Sequence, residues 1–374
     1  MAYLVSRKTA NSVLHSALRR SNIALHPARS SELFAGPSVR PLSATHTPLS
    51  YTSRSPSTVE TLAGVPPEFL KYPLPDHCRV LKLPDNRHLS FAEYGSKARD
   101  AHPFIFIHGI PDTRLDACLL ASDQAIAEEL NIRWIGIDRP GMGLSTLHPH
   151  RTVLGWVKDL ECLIRHLKLE QYRILSVSGG TGYALACAKL LPREQLRSVG
   201  IAFGVGPWEA GLEGISWLNR IGLWIWEKHP WVFMRMFDRF VVPKVQEESP
   251  QKTEAMIRKQ VKYMPAKDRQ AIESEEAIQG LVQITREIFR QGSAKGYVED
   301  SKLATKHWGF DLEQVKYSGI RLWYGKLDVN TPPEMGRYMA TRLPNAVLKE
   351  YEGKSHFTMW DHIEEILTDM LQDE

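Results

Sequence analysis

Cysteine is scarce in this sequence: four in 374 residues, Cys78, Cys118, Cys162 and Cys187. They stand 40, 44 and 25 residues apart, with no CxxC pair and no Cys/His cluster at zinc-ligand spacing. That argues against a metal site. Cys162 and Cys187 lie in apolar runs of helical character and read as buried free thiols. Long hydrophobic runs are also missing. The nearest candidate, Ile215 to Trp226, is short and interrupted by Arg220, whereas a membrane span needs about 18 apolar residues in succession; a spanning protein is excluded. Charge of one sign is lacking too, with 47 Lys plus Arg against 43 Asp plus Glu, so there is no electrostatic case for a nucleic-acid groove. No G-x-x-x-x-G-K-[ST] phosphate loop occurs, there are no internal repeats, and no metal or organic cofactor is implied. A content of 43% hydrophobic and 24% charged residues excludes wholesale disorder.

What charge there is lies at one end. Residues 1–58 hold seven basic side chains and a single acid, Glu32, within a Ser-, Thr-, Arg- and Ala-rich stretch. Wound as a helix, residues 3–20 set Tyr3, Ala10, Val13, Leu14, Ala17 and Leu18 on one side and Lys8, Ser12 and Arg19 opposite. Such a basic, amphipathic, acid-poor start reads as a mitochondrial transit peptide, with maturation between residues 20 and 60. The plainer reading is a tail without an address and a cytoplasmic protein.

From residue 77 the pattern changes. His77–Leu83 and Arg87–Tyr94, joined at Pro84-Asp85-Asn86, predict a hairpin. Apolar runs without polar alternation follow at Phe104–Ile107, Trp134–Ile137, Arg173–Val177, Val199–Phe203, Ile320–Tyr324 and Val347–Tyr351. Runs of this kind suit strands buried on both faces of a parallel sheet. Helical stretches between them, at about 113–130, 152–168, 180–191, 333–342 and 359–371, predict an α/β architecture with a mostly parallel sheet. More than a hundred residues separate the fourth of these runs from Ile320 without a convincing strand. Ser249–Pro250 marks a helix start there, with Pro250 as the first helical residue. We therefore expect a core of residues 70–206 and 305–374, and a helical cap of residues 207–304 over the carboxyl edge of the sheet.

The most informative residues are Ser176-Val177-Ser178-Gly179-Gly180, directly after a strand and before a helix. They form a G-x-S-x-G elbow with Ser176 in the place of the first glycine. Such a turn holds its central serine above the sheet on a strained backbone, and small neighbours let strand and helix approach. A serine hydroxyl needs a base. In this topology acid and base follow the nucleophile in that order, each beyond a late strand. Asp328, in YGKLD after Ile320–Tyr324, and His356, in EGKSH after Val347–Tyr351, stand in those places. A developing oxyanion needs two backbone N–H donors; Gly179 supplies one, and Ile110, in the loop HGIP after Phe104–Ile107, the other. His108 reads as a loop brace, and Asp138-Arg139-Pro140-Gly141-Met142-Gly143 as a structural turn without the fingerprint of a nucleotide loop.

On these residues the chain resembles the α/β-hydrolase superfamily across residues 77–374. The resemblance rests on HGIPDTR at 108–114, DRPGMGLS at 138–145, SVSGGTGYALACA at 176–188, WGFDL at 308–312, YGKLDVNTPP at 324–333 and GKSHF at 353–357. It is similar to the capped, esterase-like or epoxide-hydrolase-like branch. The resemblance implies Ser178 as nucleophile, Asp328 as acid, His356 as base, and Ile110 with Gly179 as oxyanion hole. Thr181 departs from a frequent third glycine, and its hydroxyl is expected to narrow the site. The basic tail is the other departure.

Serine at the elbow, where epoxide hydrolases of this fold carry aspartate, implies addition to a carbonyl. Hydrolysis of a carboxylic ester of a small or medium apolar acyl substrate is the leading reading. A thioester, amide or C–C hydrolase with the same triad is the alternative, as is a receptor of this fold with little turnover. Trp208, Trp217, Trp224, Trp226 and Trp231, half of the ten tryptophans, fall at the start of the cap. Trp217, Ile221, Trp224 and Ile225 recur at helical spacing, so the tryptophans read mainly as cap core, with Trp208, Trp217 and Trp224 as candidate walls of the substrate pocket. Contact with a membrane surface is the lesser reading.

Overall fold

The computed structural model describes residues 65–75, 77–215 and 217–372. The transit-peptide reading of residues 1–58 lies outside them.

Eight strands build one sheet: β1 (Cys78–Lys82), β2 (His88–Gly95), β3 (His102–Ile107), β4 (Ile132–Ile137), β5 (Tyr172–Val177), β6 (Leu196–Ala202), β7 (Arg321–Gly325) and β8 (Val347–Tyr351). Their order is β1-β2-β4-β3-β5-β6-β7-β8. The hairpin β1–β2 pairs Lys82 with His88, and β2 runs antiparallel to β4. From β4 to β8 every pairing is parallel. The sheet is mostly parallel because helices return the chain after β3, β4, β5 and β7.

Both faces are covered, and this accounts for the unalternated apolar runs. Ile105, Ile107, Ile135, Ile137, Tyr172 and Ile174 point to one face, where α2 (Val153–His166) and α3 (Thr181–Leu190) supply Trp156, Leu160, Tyr183 and Leu185. Phe104, Phe106, Trp134, Leu175 and Val177 point to the other. There α1 (Ala121–Glu129) brings Ala127, and the carboxyl-terminal helix Ile363–Leu371 brings Ile366, Leu367 and Met370. The helix α2 starts where Thr152 caps it, its side chain accepting from Gly155 N at 2.9 Å, and it buries Val153, Trp156, Val157, Leu160, Leu163 and Ile164 at helical spacing. Cys187 is buried on α3, whereas Cys162 on α2 is only half-buried; both are free.

Between β6 and β7 the described residues form helices and no strand: α4 (Trp217–Lys228), α5 (Pro230–Phe240), α6 (Val242–Val245), α7 (Gln251–Val261), α8 (Ala266–Ile272), α9 (Glu275–Ile288) and α10 (Lys295–Ala304). α7 begins at Gln251, one residue later than the sequence suggests; Pro250 is its cap position, with Gln251 N reaching Ser249 Oγ at 3.4 Å. The chain then closes with α11 (Pro333–Ala340) and α12 (Ile363–Leu371). Among the described residues no helix is long and apolar enough to cross a membrane.

Two buried ion networks fasten this insertion to the sheet. Arg114 pairs with Asp138 and, at 2.7 Å, with Glu287 of α9. Arg290 pairs with Glu287 at 2.5 Å and stacks on the Tyr72 ring. Asp300 of α10 pairs with Arg139 at 2.7 Å and Arg151 at 3.0 Å, and accepts from Tyr183 Oη at 2.9 Å. The turn Asp138–Gly143 is thus a structural anchor.

Candidate active site

β5 ends at Val177, and Ser178 follows with φ of +48°, a left-handed conformation that is uncommon for any residue but glycine. Three bonds hold it there: the Ser178 carbonyl accepts from Val205 N at 2.8 Å, from Thr181 Oγ at 2.9 Å and from Thr181 N. Thr181 is fully buried, so its hydroxyl pins the elbow from below and does not narrow the site.

The loop after β3 approaches this elbow closely, and glycine makes that possible on both sides. A Cβ on Gly109 would lie 3.2 Å from Ser178 Cβ, and one on Gly179 would lie 2.6 Å from Ile110 Cγ1. Arg139 donates to the carbonyls of His108 and Gly109, the latter at 2.7 Å. The His108 ring is buried, and burial with the nearby Arg139 charge drives its pKa well below the ordinary value. It is therefore neutral; Nε2 accepts from Arg139 N at 3.4 Å and Nδ1 donates to the Gly109 carbonyl at 2.8 Å. Because C=O and N–H of a trans peptide point opposite ways, these bonds to the Gly109 oxygen turn the Ile110 N–H away from Arg139. His108 is a brace.

Asp328 follows β7 and is 3% exposed. Oδ1 accepts from Asn330 N at 2.8 Å and Thr331 N at 2.9 Å. Oδ2 faces His356 Nδ1 at 2.7 Å and Thr331 Oγ at 2.8 Å. The carboxylate is thereby fixed in rotation, and its bond to Nδ1–H leaves Nε2 of the ring as an acceptor. The Phe203 ring stands edge-on to His356 at 4.9 Å. Ser178, Gly179, Ile110 and His356 all line one cavity of about 560 Å³. Ser178 Oγ makes no hydrogen bond with the ring here; such bonds often tighten only when substrate is bound. A hydroxyl, an imidazole backed by a carboxylate and two loop N–H groups around one apolar space can together perform nucleophilic addition to a carbonyl.

The insertion supplies the far wall: Ile257, Val261, Met264, Leu281, Ile284 and Ile288 line the cavity. The tryptophans of the insertion do not. Trp208, Trp217 and Trp224 are 45%, 63% and 55% exposed and lie outside the lining. On α4 it is Leu223 that faces the cavity, while Trp226 is buried against Phe233 and Tyr297. Helical spacing revealed a stripe without telling which side of it meets solvent.

Three contributors escaped the sequence reading. Thr331 sits three residues after Asp328, a D-x-x-T spacing that could have signalled a local turn bond. Asp112 and Asp116 line the cavity beside the Ile110 loop, with no local signal. Among the described residues no group of three or more His, Cys, Asp or Glu side chains is arranged to hold a metal ion.

No protein-family model matches the sequence, and no curated protein does. Solved structures do. A hydrolase from Pseudomonas aeruginosa aligns over 80% of this chain and 99% of its own, with 14% identity and a TM-score of 0.57. An esterase from Exiguobacterium antarcticum aligns over 78% and 97%, with 16% identity and a TM-score of 0.53. An enol-lactonase from Burkholderia xenovorans aligns over 78% and 99%, with 16% identity and a TM-score of 0.52. Identities this low speak for architecture alone. With eight strands in the order above, helices on both faces and an elbow after β5, the architecture they share with this chain is the α/β-hydrolase fold.

Proposed function

We propose that this protein is a serine hydrolase that cleaves carboxylic esters of small or medium apolar substrates. The reading is carried by one observation: a serine on a left-handed elbow and a histidine bonded to a buried aspartate open into the same apolar cavity. In the proposed reaction His356 Nε2 takes the Ser178 proton as Oγ bonds to the carbonyl carbon. The carbonyl electron pair moves to oxygen, where the N–H groups of Ile110 and Gly179 stabilise it. Asp328 holds the imidazolium. The intermediate collapses, the alcohol leaves with the proton from His356, and water repeats the sequence to release the acid and restore Ser178.

A panel of p-nitrophenyl esters, thioesters and β-diketones on one purified sample tests the bond type. Esters are expected to be turned over fastest; preferential cleavage of the β-diketones would replace this reading with C–C hydrolysis. A fluorophosphonate probe is expected to label Ser178 alone and to label His356→Ala hardly at all. Labelling elsewhere, or undiminished labelling of that variant, would overturn the assignment.

Thr331 acts here as a positioning residue. Its hydroxyl has one proton and two acceptors, Asp328 Oδ2 and the Phe203 carbonyl, each at 2.8 Å. A hydrogen bond to a charged group contributes about 1.5–3 kcal/mol, so Thr331→Val is expected to lower kcat roughly tenfold or more with KM little changed. Thr331→Ser should restore most of the rate; equal loss in both variants would mean that the methyl group, not the hydroxyl, matters.

A further inference from the structure

Charge on the cavity wall is one-sided. Among its described lining residues there is no lysine or arginine; His356 is the single side chain that can become positive, against five carboxyl groups. Three of the five are accounted for. Asp123 Oδ2 accepts from Leu119 N and Leu120 N at 3.0 and 2.8 Å. Asp361 pairs with Lys354 at 2.7 Å, and Glu364 is exposed. The other two, Asp112 and Asp116, stand close enough to influence each other and form no ion pair among the described residues. Asp112 also accepts from Thr113 N at 2.8 Å.

Burial, and then the neighbouring Asp116 charge, raise the Asp112 carboxyl well above its ordinary range. Burial pushes Asp116 up to about 6 although Asp112 draws it down, with Asp123 adding to the rise and His356 opposing it. Arg139 is the cation whose field reaches Asp112. Asp112 therefore holds its proton to higher pH than an ordinary carboxyl, and Asp116, at about 6, carries negative charge at neutral pH. An anionic substrate group entering here finds no cation to replace its lost water and a carboxylate opposite, an unfavourable combination in a partly dry site.

Resting on the esterase reading, we infer that this site selects its substrate by charge: it takes an apolar ester that is uncharged or cationic and turns away one bearing a second carboxylate, with Asp112 and Asp116 as the specificity-determining pair. Nothing in the triad itself would impose this choice.

Three p-nitrophenyl esters of matched shape test it: the 5,5-dimethylhexanoate (neutral), the 4-(trimethylammonio)butyrate (cationic) and the glutarate monoester (anionic). At pH 7.5 the anionic ester should show kcat/KM at least tenfold below the neutral one, mainly through KM, and the cationic ester should match or exceed the neutral one. In D112N/D116N the anionic and neutral esters should come within about threefold of each other. Wild-type protein gives an independent arm. As the pH falls from 7.5 to 6, a range in which the glutarate carboxylate stays ionised, Asp116 takes up protons and the anionic-to-neutral ratio should rise. Should the double variant not fold, this arm alone decides. Equal rates for the anionic and neutral esters in the wild type, or a ratio unmoved by both the substitutions and pH, would overturn the inference. Turnover of none of the three, with no fluorophosphonate labelling, would instead overturn the esterase reading beneath it.

Discussion

Ser178→Ala is expected to reduce ester hydrolysis by on the order of 10⁶, the scale seen when the nucleophile of a serine triad is removed. The substitution deletes only Oγ. The bonds that hold the elbow, from Val205 N and the Thr181 hydroxyl to the Ser178 carbonyl, are untouched. Substrate binding and thermal stability should therefore change little while kcat collapses. Alanine even relieves nothing of the left-handed φ of +48°, so a gain in stability large enough to confuse the comparison is not expected. Retention of more than a few per cent of the wild-type rate would identify another nucleophile.

Asp300→Ala should give the largest loss of stability. Asp300 has no exposed surface and satisfies Arg139, Arg151 and the Tyr183 hydroxyl at once. Removing it leaves two buried guanidinium groups without their counter-ion, and breaking a buried pair from one side costs about 3–5 kcal/mol. For some three hundred ordered residues that corresponds to a fall in Tm of roughly 5–8 °C, measurable by calorimetry. Turnover should fall as well, because Arg139 holds the carbonyls of His108 and Gly109 and thereby aims the Ile110 N–H. A variant with unchanged Tm would refute the anchoring role.

The same carboxyl sets a pH dependence. Burial pushes the Asp300 pKa up, but Arg139 and Arg151 outweigh it, so the carboxyl lies below its ordinary value. A depressed acid contributes stability that is complete above the unfolded-state pKa and is lost as the pH falls through the folded-state value. The Asp300 contribution should thus persist through neutral and mildly acidic pH and disappear only below the ordinary carboxylate range.

These two residues differ in how far they could be read in advance. Ser178 announces itself, because a strained turn after a strand demands small residues at fixed offsets, and those are contiguous in sequence. Asp328 and His356 could be placed from the order of late strands, and the structure sets them 2.7 Å apart. Asp300 offered no such signal. Its partner Arg139 lies 161 residues away, and an aspartate on a polar helical stretch looks like any solvated one. The tryptophan stripe misled for a related reason: periodicity gives the angle between side chains on a helix, but not which angle faces the protein. Trp217 and Trp224 ended outward and Leu223 inward.

The sequence by itself determined the alternation of buried strands and helices, the hairpin at the start, the elbow and the helical nature of the insertion, because each depends on residues within a few turns or pleats of one another. Only the tertiary structure decided which walls enclose the cavity, that Thr331 braces the aspartate, that Arg139 and Asp300 clamp the loop beneath Ile110, and that two carboxyl groups share the space beside it. Those outcomes depend on burial and on Coulomb interactions between groups far apart along the chain, and burial is a property of the packed molecule that no local pattern of residues contains.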